Sequence, residues 1–186
     1  MSSNLLRQED YLHVLLLALP LVVGGVLHML AVKWNVLSYL RIPIHQRWFG
    51  QNKTWRGFII MPLATWPGVV LSQYLEGLFD LNTPLLTLQP AWYLALASGL
   101  GYCLAELPNS YLKRRLGIRE GQTSEKYKIF FIILDQADSI FGCLIVYKLI
   151  LPLPWNIFWF TIAFGTLLHL FINVSLYKLK VRKNPF

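Results

Sequence analysis

A chain of 186 residues that is 55% hydrophobic, with a mean hydropathy of +0.48 and only 14% charged side chains, cannot cover itself with a water-facing surface. These values exclude an ordinary soluble globular protein and predict one all-α membrane domain spanning residues 1–186. Lysine and arginine outnumber aspartate and glutamate by 17 to 9, an imbalance whose meaning depends on where the bases lie.

The start, MSSNLLRQEDYLHV, carries acids beside its one arginine and runs into an apolar stretch long enough to span a bilayer, so it is expected to be retained rather than cleaved. A membrane crossing takes about 20 helical residues at roughly 1.5 Å of rise each. Five segments qualify: residues 11–32, 57–79, 90–112, 129–151 and 155–177. Pro20, Pro62 and Pro67 fall inside the first two, where a packed membrane helix absorbs the lost hydrogen bond. Cys103 and Cys143 sit inside apolar segments without a Cys-x-x-Cys spacing, so neither a disulfide nor a zinc site is expected.

The connections alternate in charge. Lys33, Arg41, Arg47, Lys53 and Arg56 lie between the first and second segments. Lys113, Arg114, Arg115, Arg119, Lys126 and Lys128 lie between the third and fourth, and Lys178, Lys180, Arg182 and Lys183 form the tail. Fifteen of the seventeen bases are thus on one side, leaving Arg7 and Lys148 near the other. The positive-inside rule then predicts a bundle of about five transmembrane helices with the N-terminus outside and the C-terminus cytoplasmic, in a multi-pass cell-membrane protein. Trp34, Trp55, Trp92, Trp155 and Tyr177, near segment ends, suit interfacial belts.

Ionisable groups inside a span cost a few kcal/mol or more, so each is a site candidate. The third segment carries Glu106, Asn109 and Ser110 just before its basic end; the fourth carries Asp135, Gln136, Asp138 and Ser139; the fifth carries His169 and Asn173. With helix directions alternating, Glu106 and Asp135 both lie about six residues, or roughly 9 Å, from the cytoplasmic ends, and His169 and Asn173 share that layer. The spacings Glu106/Ser110, Asp135/Asp138 and His169/Asn173 place each pair on one helix face.

Three carboxylates at one depth repel unless a cation neutralises them, and a hard, oxygen-preferring ion such as Mg²⁺ suits this donor set. Glu106, Asp135 and Asp138 are the candidate metal ligands. Lys113, Arg114 and Arg115, with Lys53 and Arg56 from the other basic connection, are placed to hold anions, a pairing that suggests phosphate chemistry on a polyphosphate. Asn52-Lys53-Thr54 resembles part of a nucleotide-binding phosphate loop but lacks its glycines, having Arg47 and Asn52 in their places. His13 and His28 read as packing residues, and Glu76 and Asp80 as markers of the end of the second segment.

Three blocks, Gly50-Gln51-Asn52-Lys53-Thr54-Trp55-Arg56-Gly57, Glu106-Leu107-Pro108-Asn109-Ser110-Tyr111-Leu112-Lys113-Arg114-Arg115-Leu116-Gly117 and Leu134-Asp135-Gln136-Ala137-Asp138, together resemble the CDP-archaeol synthase family. These are integral membrane relatives of the phosphatidate cytidylyltransferases. His169-x-x-x-Asn173 with the basic tail adds a fourth, weaker block, and the order of the blocks is the family's. Glu106 stands where the family usually has aspartate, and Tyr111 where it has phenylalanine.

The resemblance implies a nucleotidyltransferase that moves CMP from CTP to a membrane glycerolipid phosphate, archaetidate-type or phosphatidate, giving a CDP-lipid (CDP-archaeol or CDP-diacylglycerol) and pyrophosphate in phospholipid biosynthesis. It casts Asp135, Asp138 and Lys113 as catalytic, with Mg²⁺ on Glu106, Asp135 and Asp138. Lys53, Thr54, Arg56, Asn109, Ser110, Arg114, Arg115, His169 and Asn173 would bind CTP or phosphate. The partners would be CTP, the lipid phosphate and the bilayer, with no nucleic acid; an oligomer is compatible with the sequence.

Two other readings use the same residues. A CTP-dependent lipid-alcohol kinase would attack the γ-phosphorus and need a base, from His169 or an aspartate. A small ion or solute transporter would use the buried acids, but no comparable acids continue through the outer half and no inverted repeat is visible.

Overall fold

Alternating apolar segments and charged connections fold into a ring of long helices. The computed structural model describes residues 7–120, 122, 126–182 and 184; residues 1–6, from the amino-terminal stretch, and Lys183 of the basic tail lie outside them. The helices are α1 (Gln8–Lys33), the single-turn α2 (Gln46–Phe49), α3 (Trp55–Leu78), α4 (Ala91–Arg115), α5 (Lys128–Ile150) and α6 (Trp155–Lys178). Short 3₁₀ turns occur at Ser38–Leu40 and Leu86–Leu88, and no strand occurs among the described residues. The five long helices begin and end within three residues of the apolar segments.

Polar and proline residues set the helix starts. Asp10 accepts the backbone N–H of Arg7 at 2.9 Å, closing the first turn of α1. Pro90 and Pro154 stand directly before α4 and α6, whose first N–H groups need no intrahelical partner. Helix α1 packs on α3, α3 on α4 and α4 on α5, while α6 closes the ring against α5 and α1. Leu17, Met61, Leu94, Phe131, Leu144, Tyr147 and Ile157 fill the interior.

Large apolar side chains also face outward, among them Leu63, Trp66, Leu149, Leu167 and Phe171. A helical bundle apolar both inside and outside is an integral membrane protein, since water would penalise that exterior. Helices α1, α3, α5 and α6 each have the length and apolar composition of a membrane span. The shortfall of α4 follows from Glu106, Asn109 and its last turn, Lys113-Arg114-Arg115.

Buried polar groups in the middle of the bundle are bonded to backbone carbonyls: Thr65 to Met61 at 3.0 Å, Ser72 to Leu16 at 2.9 Å, Thr161 to Ile157 at 2.7 Å. Among the described residues, the buried carboxylates Asp10 and Glu76 lie at one end of the bundle, and Asp138 stands inward from the other, midway along α5. At the end formed by the starts of α1, α4 and α6, Glu76 is 1% exposed and accepts the N–H groups of Leu85, Leu86 and Thr87 at 2.7–3.0 Å and the Thr87 hydroxyl at 2.8 Å. Glu76 therefore does more than mark the end of its helix. It fastens the α3–α4 connection to the bundle, with His13 buried at 3.9 Å.

Candidate active site

The opposite end is assembled by a close helix crossing. A Cβ at Gly101 of α4 would lie 2.8 Å from the Gly142 carbonyl of α5, and one at Gly142 would lie 2.3 Å from the Gly101 carbonyl. Only glycine at both positions lets the backbones approach this far. Five to twelve residues further along α4, and three to seven back along α5, the polar side chains of the two helices meet.

Asn109 stands at the centre. Its amide nitrogen donates to Asp135 Oδ1 and to Asp138 Oδ2, both at 2.7 Å, so one side chain ties the two carboxylates together. Lys113, one turn further along α4, donates to Asp135 Oδ1 at 2.6 Å. Asp138 is 9% exposed and its Oδ1 accepts the Ser139 N–H at 2.6 Å. Glu106 forms an ion pair with Lys53 and lies within electrostatic reach of Asp138.

Lys53 arrives on the connection between α1 and α3. There the Ile44 N–H donates to the Lys53 carbonyl at 2.9 Å and Pro43 forms an isolated bridge with Thr54. Thr54 is 8% exposed and stands at the start of α3. Burial acts to lower the Lys53 pKa, but the Glu106 carboxylate outweighs it, so the ammonium is held above its ordinary value and stays charged. Gly50 (φ +84°) lets this connection turn against the α4–α5 connection, where Gln51 N–H donates to Glu120 at 3.2 Å.

The remaining sequence candidates divide. Arg56 is 7% exposed, and its Nη1 has no hydrogen-bond partner among the described residues. Arg114 lies 3.5 Å from Glu120. Arg115 is exposed and covers the Tyr111 ring at 4.8 Å, outside the cluster. Ser110 is half-buried beside Asn109 and joins none of these bonds. His169 Nδ1 is 3.1 Å from the Gln136 carbonyl, and Asn173 donates to Gln136 Oε1 at 2.6 Å.

Gln136 thus gathers the α6 candidates, a role not assigned from the sequence although its amide in an apolar segment was visible. Arg182, counted there only as tail charge, reaches the same layer.

No three His, Cys, Asp or Glu side chains among the described residues form a ready metal cluster. Glu106 and Asp135 instead have lysine partners. The donor chemistry nonetheless fits a hard divalent ion: Asp135, Asp138 and the Asn109 carbonyl all offer oxygens, and Asn109 Oδ1 is buried with no hydrogen-bond partner among the described residues.

A model of the CarS-like family, CDP-archaeol synthase, matches residues 40–186. The CDP-archaeol synthase of Pyrobaculum arsenaticum is 30% identical over 141 residues, covering 76% of this chain and 75% of its relative. That of Sulfurisphaera tokodaii is 26% identical over 144 residues, again covering 76% and 75%. No solved structure matches. A match that takes in α2 through α6 and all three motif blocks leaves one conclusion: the chain belongs to the CDP-archaeol synthase family.

Proposed function

We propose that this chain is a CTP-dependent cytidylyltransferase that transfers CMP to a glycerolipid phosphate, releasing pyrophosphate, and that residues 1–186 form one catalytic membrane domain. The observation that carries the reading is the pair Asp135 and Asp138, joined by Asn109 and flanked by Lys113, in a chain of this family. All five long helices cross the bilayer in this reading, with the N-terminus outside and the acid-lysine cluster facing the cytoplasm. Fifteen of seventeen bases at that end support the orientation.

An oxygen of the lipid phosphate bonds to the α-phosphorus of CTP, the bond from that phosphorus to the α–β bridging oxygen breaks, and the electron pair leaves with pyrophosphate. A phosphate dianion is already nucleophilic near neutral pH, so the chain need not supply a general base. Its task is positioning and charge neutralisation.

Mg²⁺ bound by Asp135, Asp138 and the Asn109 carbonyl, with Glu106 within reach of Asp138, would supply neutralisation of the phosphate charge. Lys53 and Lys113 neutralise Glu106 and Asp135 in the ligand-free chain and hold the triphosphate and leaving pyrophosphate when CTP arrives. Arg56, whose Nη1 has no hydrogen-bond partner among the described residues, and Arg114 are the next cations in line. Asn109 fixes the spacing of the two aspartates, and Gln136 holds His169 and Asn173 beside them.

Purified protein given CTP, Mg²⁺ and a panel of ether-linked isoprenoid and ester-linked acyl glycerol phosphates should yield a CDP-lipid by mass spectrometry with one pyrophosphate per turnover. Release of CDP without cytidine in the lipid would overturn the proposal. The panel also identifies the preferred chains.

A further inference from the structure

A groove runs between α1 and α6. Leu21, Val22, Leu168 and Ile172 give it apolar walls, and Tyr102 and Ile140 reach it from α4 and α5. One end is polar, lined by His28, His169, Asn173 and Arg182. The helices on either side carry exposed Leu15, Leu27, Leu167 and Phe171, so the walls continue into the face turned to lipid.

The tail places Arg182 there. Lys180 adopts φ +56°, and the N–H groups of Val181 and Arg182 both return to the Leu176 carbonyl, at 2.9 and 3.2 Å. This turn ends α6 and folds the chain back over the groove. The guanidinium is within electrostatic reach of Asp135 and Glu106 but has no carboxylate among the described residues at ion-pair distance. It is a partly buried cation between an apolar slot and the acid-lysine cluster.

We propose that the groove between α1 and α6 holds a hydrocarbon chain of the lipid phosphate and that Arg182 holds its phosphate beside the cluster. The inference rests on the cytidylyltransferase reading and adds where the second substrate sits. Two anionic substrates must approach one another for transfer, and each then has its own cation: Lys53 and Lys113 for the nucleotide, Arg182 for the lipid. A planar guanidinium suits a phosphate monoester bidentately, and apolar walls continuous with the membrane face suit a chain that never leaves hydrocarbon. Gly25 lines the same groove, and a Cβ there would meet nothing within 4 Å. The slot therefore has room, and a large side chain at that position would fill it.

Steady-state kinetics of the full chain in mixed micelles, with CTP and a long-chain glycerolipid phosphate varied separately, test this. Arg182→Gln should raise the KM for lipid phosphate about tenfold or more while leaving the KM for CTP within about twofold, and Arg182→Lys should recover part of the loss. Gly25→Phe should depress turnover of the long-chain substrate and spare a short-chain, water-soluble lipid phosphate. An unchanged lipid KM in Arg182→Gln, a raised KM for CTP in either variant, or equal loss on long and short chains in Gly25→Phe would overturn the groove assignment. Wild-type protein that forms no CDP-lipid would remove the underlying reading instead, so the two failures are distinguishable.

Discussion

The two ends of the bundle both bury carboxylates but satisfy them in opposite ways. Glu76 takes four hydrogen bonds, three from backbone N–H groups and one from a hydroxyl, all in the connection it fastens. Those donors cannot leave without unfolding the connection. Glu106 and Asp135 are neutralised by the flexible ends of Lys53 and Lys113, and Asp135 and Asp138 share one amide whose oxygen has no hydrogen-bond partner among the described residues. A carboxylate held by backbone is a structural clamp, whereas one held by exchangeable side chains is available to a ligand.

The sharpest break in this comparison comes from removing charge at each end. Asp138→Asn and Asp135→Asn should each lower CTP turnover by about a hundred- to a thousandfold, because in the proposed reaction these carboxylates serve the reacting phosphates. Unfolding temperature in detergent should move little. Pyrophosphate release and a thermal melt read the two quantities, and near-normal turnover in both variants would reject the assignment.

Glu76→Ala should do the reverse. It strands buried donors and should cost about 3–5 kcal/mol of stability, while the folded fraction keeps its turnover per molecule. A denaturation series checks the first half and active-site-normalised rates the second. Loss of turnover with unchanged stability would erase the distinction between the ends.

A smaller effect separates binding from chemistry within the working end. Lys113→Ala should raise the KM for CTP about tenfold, the value of one charge-assisted contact, with a lesser change in kcat. An unchanged KM would assign Lys113 to holding Asp135 alone.

The same comparison explains what was legible in advance. Apolar runs of spanning length marked the five long helices to within three residues, because hydrocarbon burial demands that length and the interior demands little more than volume. The acidic layer was legible too, since helix direction and rise place Glu106, Asp135 and Asp138 at one depth. The pairings were not. Lys53 meets Glu106 across fifty-three positions through a bridged connection, and nothing local to either residue announces that contact. Glu76 was underread for a related reason: three of its four donors are backbone groups, which every sequence possesses and whose orientation only the fold decides. Arg182 was hidden among tail bases because its role depends on one left-handed residue, Lys180.

The smallest predicted effect tests how the working end holds its shape. Glu120 accepts the Gln51 N–H and lies 3.5 Å from Arg114, linking the connection that carries Lys53 to the one that follows Lys113. A Cβ at Gly50 would come within 2.7 Å of Glu120, so the two connections already touch there. Backbone hydrogen bonds from its own residue and from Gln51 hold the Glu120 carboxyl below its ordinary value, with Arg114 and Arg119 adding to the effect. A depressed folded pKa stabilises the contact fully above the unfolded value and loses it only as pH falls through the folded one. Glu120→Gln keeps an acceptor for Gln51 and removes the charge from a solvent-screened site, so the KM for CTP should rise only about two- to threefold, with kcat unchanged. That difference should be constant across neutral pH, where the carboxylate is fully ionised, and raised ionic strength should shrink it. An equal penalty at high salt would mean that Glu120 acts through shape rather than charge, and Gly50→Ala, which strains the turn and crowds the Glu120 side chain while leaving its charge in place, should then reproduce it.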